Sequence, residues 1–164
     1  VANIALKLYE KGILAFPQVV VFGSNCDTSV HFLEPNLRSK RYRKFRRDRE
    51  KALDAAKNGR LTKNAQQKVI DKLVKKHGKW LHLDPQDWTL EHFAKVCPNI
   101  PLDKDGMITE KGRKIHSALL SNASVIFCTL NNVGSQMMHT TLESKKFKTL
   151  MLDEGGQCTE PEFF

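Results

Sequence analysis

The chain has 164 residues, 40% of them hydrophobic, which is enough for one domain with its own core. No basic leader with an apolar stretch opens it, and no apolar run approaches the roughly 20 residues of a membrane span, so a soluble protein is expected; its expected place is intracellular, nuclear or cytoplasmic. Cys26, Cys97, Cys128 and Cys158 lie far apart without a C-x-x-C pair, which argues against a zinc finger and predicts reduced thiols.

The formal net charge of +9 is unevenly placed. Arg38 to Lys79 holds 17 Lys/Arg against 4 Asp/Glu, which leaves the rest of the chain at about −4. A local excess of this size suits a polyanion, because phosphate neutralisation releases condensed counterions whatever the nucleic-acid sequence. A solvated helix face is the plainer explanation of the same residues.

In chain order, Ile4, Ala5, Leu8 and Ile13 lie near helical spacing, and Gly12 is a natural stop. Gln18 to Gly23 is a short apolar run rich in valine, the pattern of a strand buried on both faces of a parallel sheet. From Leu37 to Lys57 one apolar stripe runs through Leu37, Tyr42, Phe45, Ala52, Leu53 and Ala56, with Arg and Lys around it and Asn58-Gly59 closing the helix. Thr62 or Asn64 caps a second helix, carrying Val69, Ile70, Leu73 and Val74 and ending at His77-Gly78, so the two can pair as an antiparallel hairpin. A short helix is expected from Thr89 to Val96, a turn at Asp105-Gly106, and a helix capped by Thr109 and ending at Asn122. Two further strands, Ser124 to Thr129 and Phe147 to Leu152, read as buried.

Helices alternating with short apolar strands predict a doubly wound α/β layer, with a basic helical insertion within residues 24–120. The three strands are expected to be parallel. Ligands of such sheets collect at the carboxyl ends of the strands, so the residues after Thr129 and Leu152 are the places to search.

The strand ending at Leu152 is followed by Asp153-Glu154-Gly155-Gly156-Gln157-Cys158-Thr159-Glu160-Pro161-Glu162. An apolar strand that delivers two adjacent carboxylates is the Walker B arrangement. Asp153 can hold a magnesium ion through its water shell, and Glu154 can orient or deprotonate an attacking water. An Asp-Glu pair alone is weak, since many strands end in polar turns; the ten-residue string is far more specific.

That string resembles motif II of superfamily 1B helicases, especially the Upf-like and senataxin-like group, with Gly155 standing where Ala or Ser is more usual. Ser121 to Thr129 is similar to the strand leading into motif Ic of the same family, and Gly134-Ser135 fits its small-residue loop. Val1 to Ala5 resembles the helix after motif Ia. The resemblance implies a partial RecA-like P-loop NTPase domain over residues 1–164, using ATP and Mg2+. It implies Asp153 as the magnesium-linked carboxylate, Glu154 as catalytic base, and Gln157 as the link between nucleotide state and the neighbouring domain. Thr129 and Ser135 are implied to touch the backbone of single-stranded RNA or DNA, hydroxyls being suitable phosphate partners.

No G-x-x-x-x-G-K-S/T string occurs in the sequence. A longer parent chain is therefore expected, carrying the phosphate-binding lysine and a second RecA-like domain as partner, and this segment alone is expected to be inactive. The alternative is a nonenzymatic nucleic-acid-binding module that works through its basic helical hairpin. The six histidines show no metal-ligand spacing, and Trp80 and Trp88 are expected in a core or interface.

Overall fold

The computed structural model describes residues 2–23, 25–105, 107–145 and 147–152. Helix α1 (Ala2–Glu10) leads to strand β1 (Val19–Phe22), and a 3-10 turn (Thr28–Leu33) opens the long helix α2 (Pro35–Lys57). Helix α3 (Lys63–Trp80) returns antiparallel to α2, followed by α4 (Leu90–Val96), α5 (Glu110–Asn122), strand β2 (Val125–Cys128), α6 (Leu130–Val133) and α7 (Gln136–Ser144).

Strands β1 and β2 pair in parallel, Val19 opposite Val125 through Phe22 opposite Cys128. The whole helical segment is thus a crossover between adjacent strands, as the alternation of patterns predicts. β1 is buried as expected, whereas every residue of β2 is half-buried.

The third expected strand is a correction. Among the described residues no strand forms over 147–152, and Leu150 and Met151 are 77% and 87% exposed. An apolar run becomes a buried strand only where a neighbour offers a free ladder and a covering face. Among the described residues, 147–152 pair with neither strand although each has a free edge, so no second neighbour covers β2.

Two apolar cores result. One surrounds the sheet: Val19, Val20 and Val21 pack with Ala5, Val30, Phe32, Leu33, Leu120 and Ala123. The other lies in the helical segment, where Phe45 of α2 meets Ile70 and Val74 of α3 and Phe93 of α4. The rings of Phe45 and Phe93 lie 4.5 Å apart, and Trp80 packs against both cores.

The caps follow the sequence closely. Thr62, Thr89 and Thr109 each accept a hydrogen bond from the backbone N–H three residues on, and the Glu34 carboxylate caps α2 at Leu37 N, 2.6 Å. Gly78 does not end α3, which continues to Trp80. A Cβ there would stand 2.5 Å from Nε1 of Trp88, so glycine is kept for the close approach of that ring and not for a turn.

Arg38 departs from the basic surface around it. It is 3% exposed, donates from Nε to Val96 O (2.9 Å) and from NH1 to Phe32 O (2.5 Å), and lies 4.3 Å over the Phe16 ring. With Ser39, whose hydroxyl accepts from Ile100 N (3.0 Å), it ties the start of α2 to the sheet side and to the segment after α4. Charge alone counts it with the exposed cations, but it shares one helical face with Tyr42 and Phe45, at i, i+4 and i+7.

The opposite face of α2 carries Lys40, Arg43, Lys44, Arg47 and Lys51. Three like-charged i, i+4 pairs result (Lys40–Lys44, Arg43–Arg47, Arg47–Lys51), each destabilising by about 0.2–0.5 kcal/mol. Among the described residues, Arg46–Glu50 at 3.1 Å is the one ion pair within α2 and α3.

Candidate functional site

The parallel register sets the carboxyl end of β1 beside that of β2, so Phe22-Gly23 and Cys128-Thr129 form one edge. Gly23 has φ +130°, a region L residues rarely adopt. A Cβ on it would meet Nδ2 of Asn132 at 2.4 Å. That amide donates to Phe22 O (3.3 Å), fastening the loop after β2 to the end of β1. Glycine is required here both for its backbone and for the space it leaves.

Thr129 is the residue before α6. Its carbonyl accepts from Asn132 N (3.0 Å) and Val133 N (3.2 Å), its side chain makes no capping bond, and it is exposed. The hydroxyl therefore stands open on the edge. Ser135 is engaged differently. It caps α7, accepting from Met138 N (3.3 Å), while its own hydroxyl donates to Asn132 O (2.7 Å). The structure brings Thr129, Asn132 and Ser135 together beside Gly23, but the hydroxyl proton of Ser135 already has an acceptor.

Beneath this edge lies His116 of α5, 1% exposed, with its ring 5.6 Å from that of Phe22. Among the described residues neither ring nitrogen has a hydrogen-bond partner, and burial pushes the imidazole down to about 4, so it is neutral near pH 7. His77 in the helical core is alike: 1% exposed, edge-on to Phe45 at 5.3 Å, and lowered to about 4 by burial first and then by the charge of Arg41. Sequence spacing set both aside as ligands without revealing that they are buried.

Among the described residues no cluster of three His, Cys, Asp or Glu side chains could hold a metal ion. Cys26, Cys97 and Cys128 are free thiols, each raised above its usual range by burial. Trp88 donates from Nε1 to Leu83 O (3.0 Å), and the guanidinium of Arg41 lies 5.0 Å over Trp80, so both tryptophans serve packing. Asp153, Glu154, Gln157 and Cys158 lie outside the described residues.

A family model with the description AAA domain, AAA_11, matches residues 28–164, most of the chain. The chain belongs to the AAA_11 family. AAA_11 is the domain found in Upf1-like superfamily 1 helicases, a family of helicase-like P-loop NTPases that includes helicase and ATPase enzymes. The match takes in the basic hairpin, β2, the Thr129–Ser135 loop and the Asp153–Glu162 string. The small parallel sheet is compatible with a partial RecA-like fold. No curated protein and no solved structure matches the chain. In the described residues of this AAA_11 domain, no helix is long and apolar enough to cross a membrane.

Proposed function

We propose that this AAA_11 domain is part of the first motor domain of an ATP-dependent helicase of the Upf-like/senataxin-like group, acting inside the cell, in nucleus or cytoplasm, on single-stranded RNA or DNA. The observation that carries the reading is the string Asp153 to Glu162, inside the matched region and directly after the apolar Leu150-Met151-Leu152. Its donor set fits a magnesium nucleotide, since adjacent carboxylates supply the hard oxygens that magnesium takes. When bound, the metal ion neutralises developing charge on the phosphates.

In this reading Asp153 would hold the magnesium ion, Glu154 accepts the proton of the attacking water, and Gln157 reports nucleotide state to a second RecA-like domain. Thr129, with its open hydroxyl on the carboxyl edge, offers a donor to a phosphate of the single strand. Ser135 contributes first by shaping that loop.

The test is Glu154→Gln in the complete helicase. The amide keeps the shape of the side chain but cannot accept a proton, so turnover is lost while ATP binding is retained. Normal hydrolysis by this variant would reject the role. The alternative of a nonenzymatic nucleic-acid-binding module, favoured by the unneutralised face of α2, predicts no nucleotide-dependent change in nucleic-acid affinity at all.

A further inference from the structure

Lys40, Arg43, Lys44, Arg47 and Lys51 recur at i, i+3, i+4, i+7 and i+11, so they share one face of α2, turned away from the buried Phe45 and Arg38. At 1.5 Å per residue the stripe is about 16 Å long. All but the half-buried Arg43 are exposed, and Asp54, the next residue on that face, ends the run. Beside it Lys40, Arg43, Arg46, Arg47, Glu50 and Asn99 line an open recess of about 590 Å³. Arg46 pairs with Glu50, and among the described residues the other cations have no carboxylate within 4 Å. Burial and the charge of Arg47 both lower the pKa of Arg43, a sign that like charges are crowded here.

The face lacks what a single strand requires. Surfaces that hold unpaired bases join a basic groove to aromatic platforms on which the bases stack. Here the nearby aromatics are turned inward: Tyr42 stacks on Phe93 at 5.9 Å, Phe45 is 2% exposed, and among the described residues no aromatic lines the recess. A row of cations without a stacking surface reads phosphates alone. A duplex keeps its bases stacked internally and presents phosphates on its outside, and a row about 16 Å long can reach phosphates on both sides of a groove about 12 Å wide.

We propose that the Lys40–Lys51 face of α2 is a sequence-independent docking surface for the backbone of double-stranded nucleic acid, separate from the carboxyl edge where Thr129 lies. The proposal rests on the reading of the protein as a nucleic-acid motor and adds to it a second contact, one that grips the paired region. Binding also relieves the three like-charged pairs along the helix.

The experiment compares the complete protein with its Arg43→Gln/Arg47→Gln/Lys51→Gln variant. Binding to a blunt 20-base-pair DNA duplex, to an RNA duplex of the same length and to a 20-nucleotide oligo-dT is followed by fluorescence anisotropy from 50 to 300 mM salt. Loss of three phosphate contacts lowers the slope of log K against log salt by about 2.7 on DNA duplex, and duplex affinity near 0.15 M falls roughly 10- to 100-fold. Oligo-dT affinity stays within about twofold. The two duplex arms tell which helical form the face accepts. Circular dichroism melting shows whether the variant is folded, and Arg43→Lys/Arg47→Lys, which keeps the charges, retains the slope.

Unchanged duplex slope and affinity in the folded triple variant would overturn the proposal. An equal loss on oligo-dT would also overturn it, by placing α2 on the single-strand path. In both cases single-strand binding by the wild type leaves the motor reading standing. A wild-type protein that binds neither duplex nor single strand removes both.

Discussion

Gly23→Ala tests whether the carboxyl edge is built as described. The new Cβ has two separate costs. Alanine at φ +130° carries about 1–2 kcal/mol of backbone strain. The Cβ would also stand 2.4 Å from Nδ2 of Asn132, so that side chain must move and give up its 3.3 Å bond to Phe22 O, about 1 kcal/mol more. The sum is about 2–3 kcal/mol. With a urea dependence of about 2 kcal/mol per molar, the midpoint of unfolding should fall by about 1–1.5 M. The double variant separates the two costs. In an Asn132→Ala background the clash is already gone, so Gly23→Ala should cost only the backbone strain, and the pair should be less harmful than the sum of the singles by about 1 kcal/mol. Additivity within about 0.3–0.5 kcal/mol would refute the contact, because residues that touch should couple.

Other expectations follow from the same contacts. Arg38→Ala should destabilise by about 2–4 kcal/mol in thermal melts, since it leaves Phe32 O and Val96 O without a donor and empties the site over Phe16, whereas Arg47→Ala on the exposed face should shift stability by less than about 0.5 kcal/mol. The folded pKa values of His77 and His116, near 4, lie below the unfolded value near 6.5, so the unfolded chain binds more protons between these limits. Stability should therefore fall as pH drops from about 6.5 to about 4, by up to about 3 kcal/mol per histidine, and His116→Leu should remove about half of this pH dependence in chemical denaturation. Gly78→Ala should push the Trp88 ring aside and change tryptophan fluorescence together with a loss of about 1–3 kcal/mol. Thr129→Ala should lower single-strand affinity by the equivalent of about 0.5–1.5 kcal/mol without altering the melting temperature, because its hydroxyl caps nothing; Ser135→Ala should cost about 1 kcal/mol of stability through the lost cap on α7.

Local chemistry was readable in the sequence wherever the deciding interaction lay within a few residues. The threonine caps at 62 and 109, the stop after α1 at Gly12 and the antiparallel pairing of α2 with α3 all depend on neighbours along the chain, and local pattern reports those directly. The run of valines in β1 likewise declared a strand covered on both faces. The carboxylate string Asp153 to Glu162 was readable as a motif for the same reason, its chemistry being carried by consecutive residues.

Tertiary structure decided whatever depends on residues far apart in the chain. Residues 147–152 were read as a buried strand, but burial needs a covering face from elsewhere in the chain, and composition cannot supply one. Gly78 has the look of a helix stop until the ring of Trp88 is set against it. Gly23 and Asn132 are 109 residues apart, so neither reveals in isolation that the other is its reason for being there. Charge alone grouped Arg38 with the basic stripe, yet the fold surrounds it with carbonyls and an aromatic ring and leaves its neighbours Lys40, Arg43, Lys44, Arg47 and Lys51 on the other face to meet whatever lies outside. A side chain's type is set by the sequence, but whether its charge is satisfied internally or presented to a partner depends on which surfaces the folded chain brings against it.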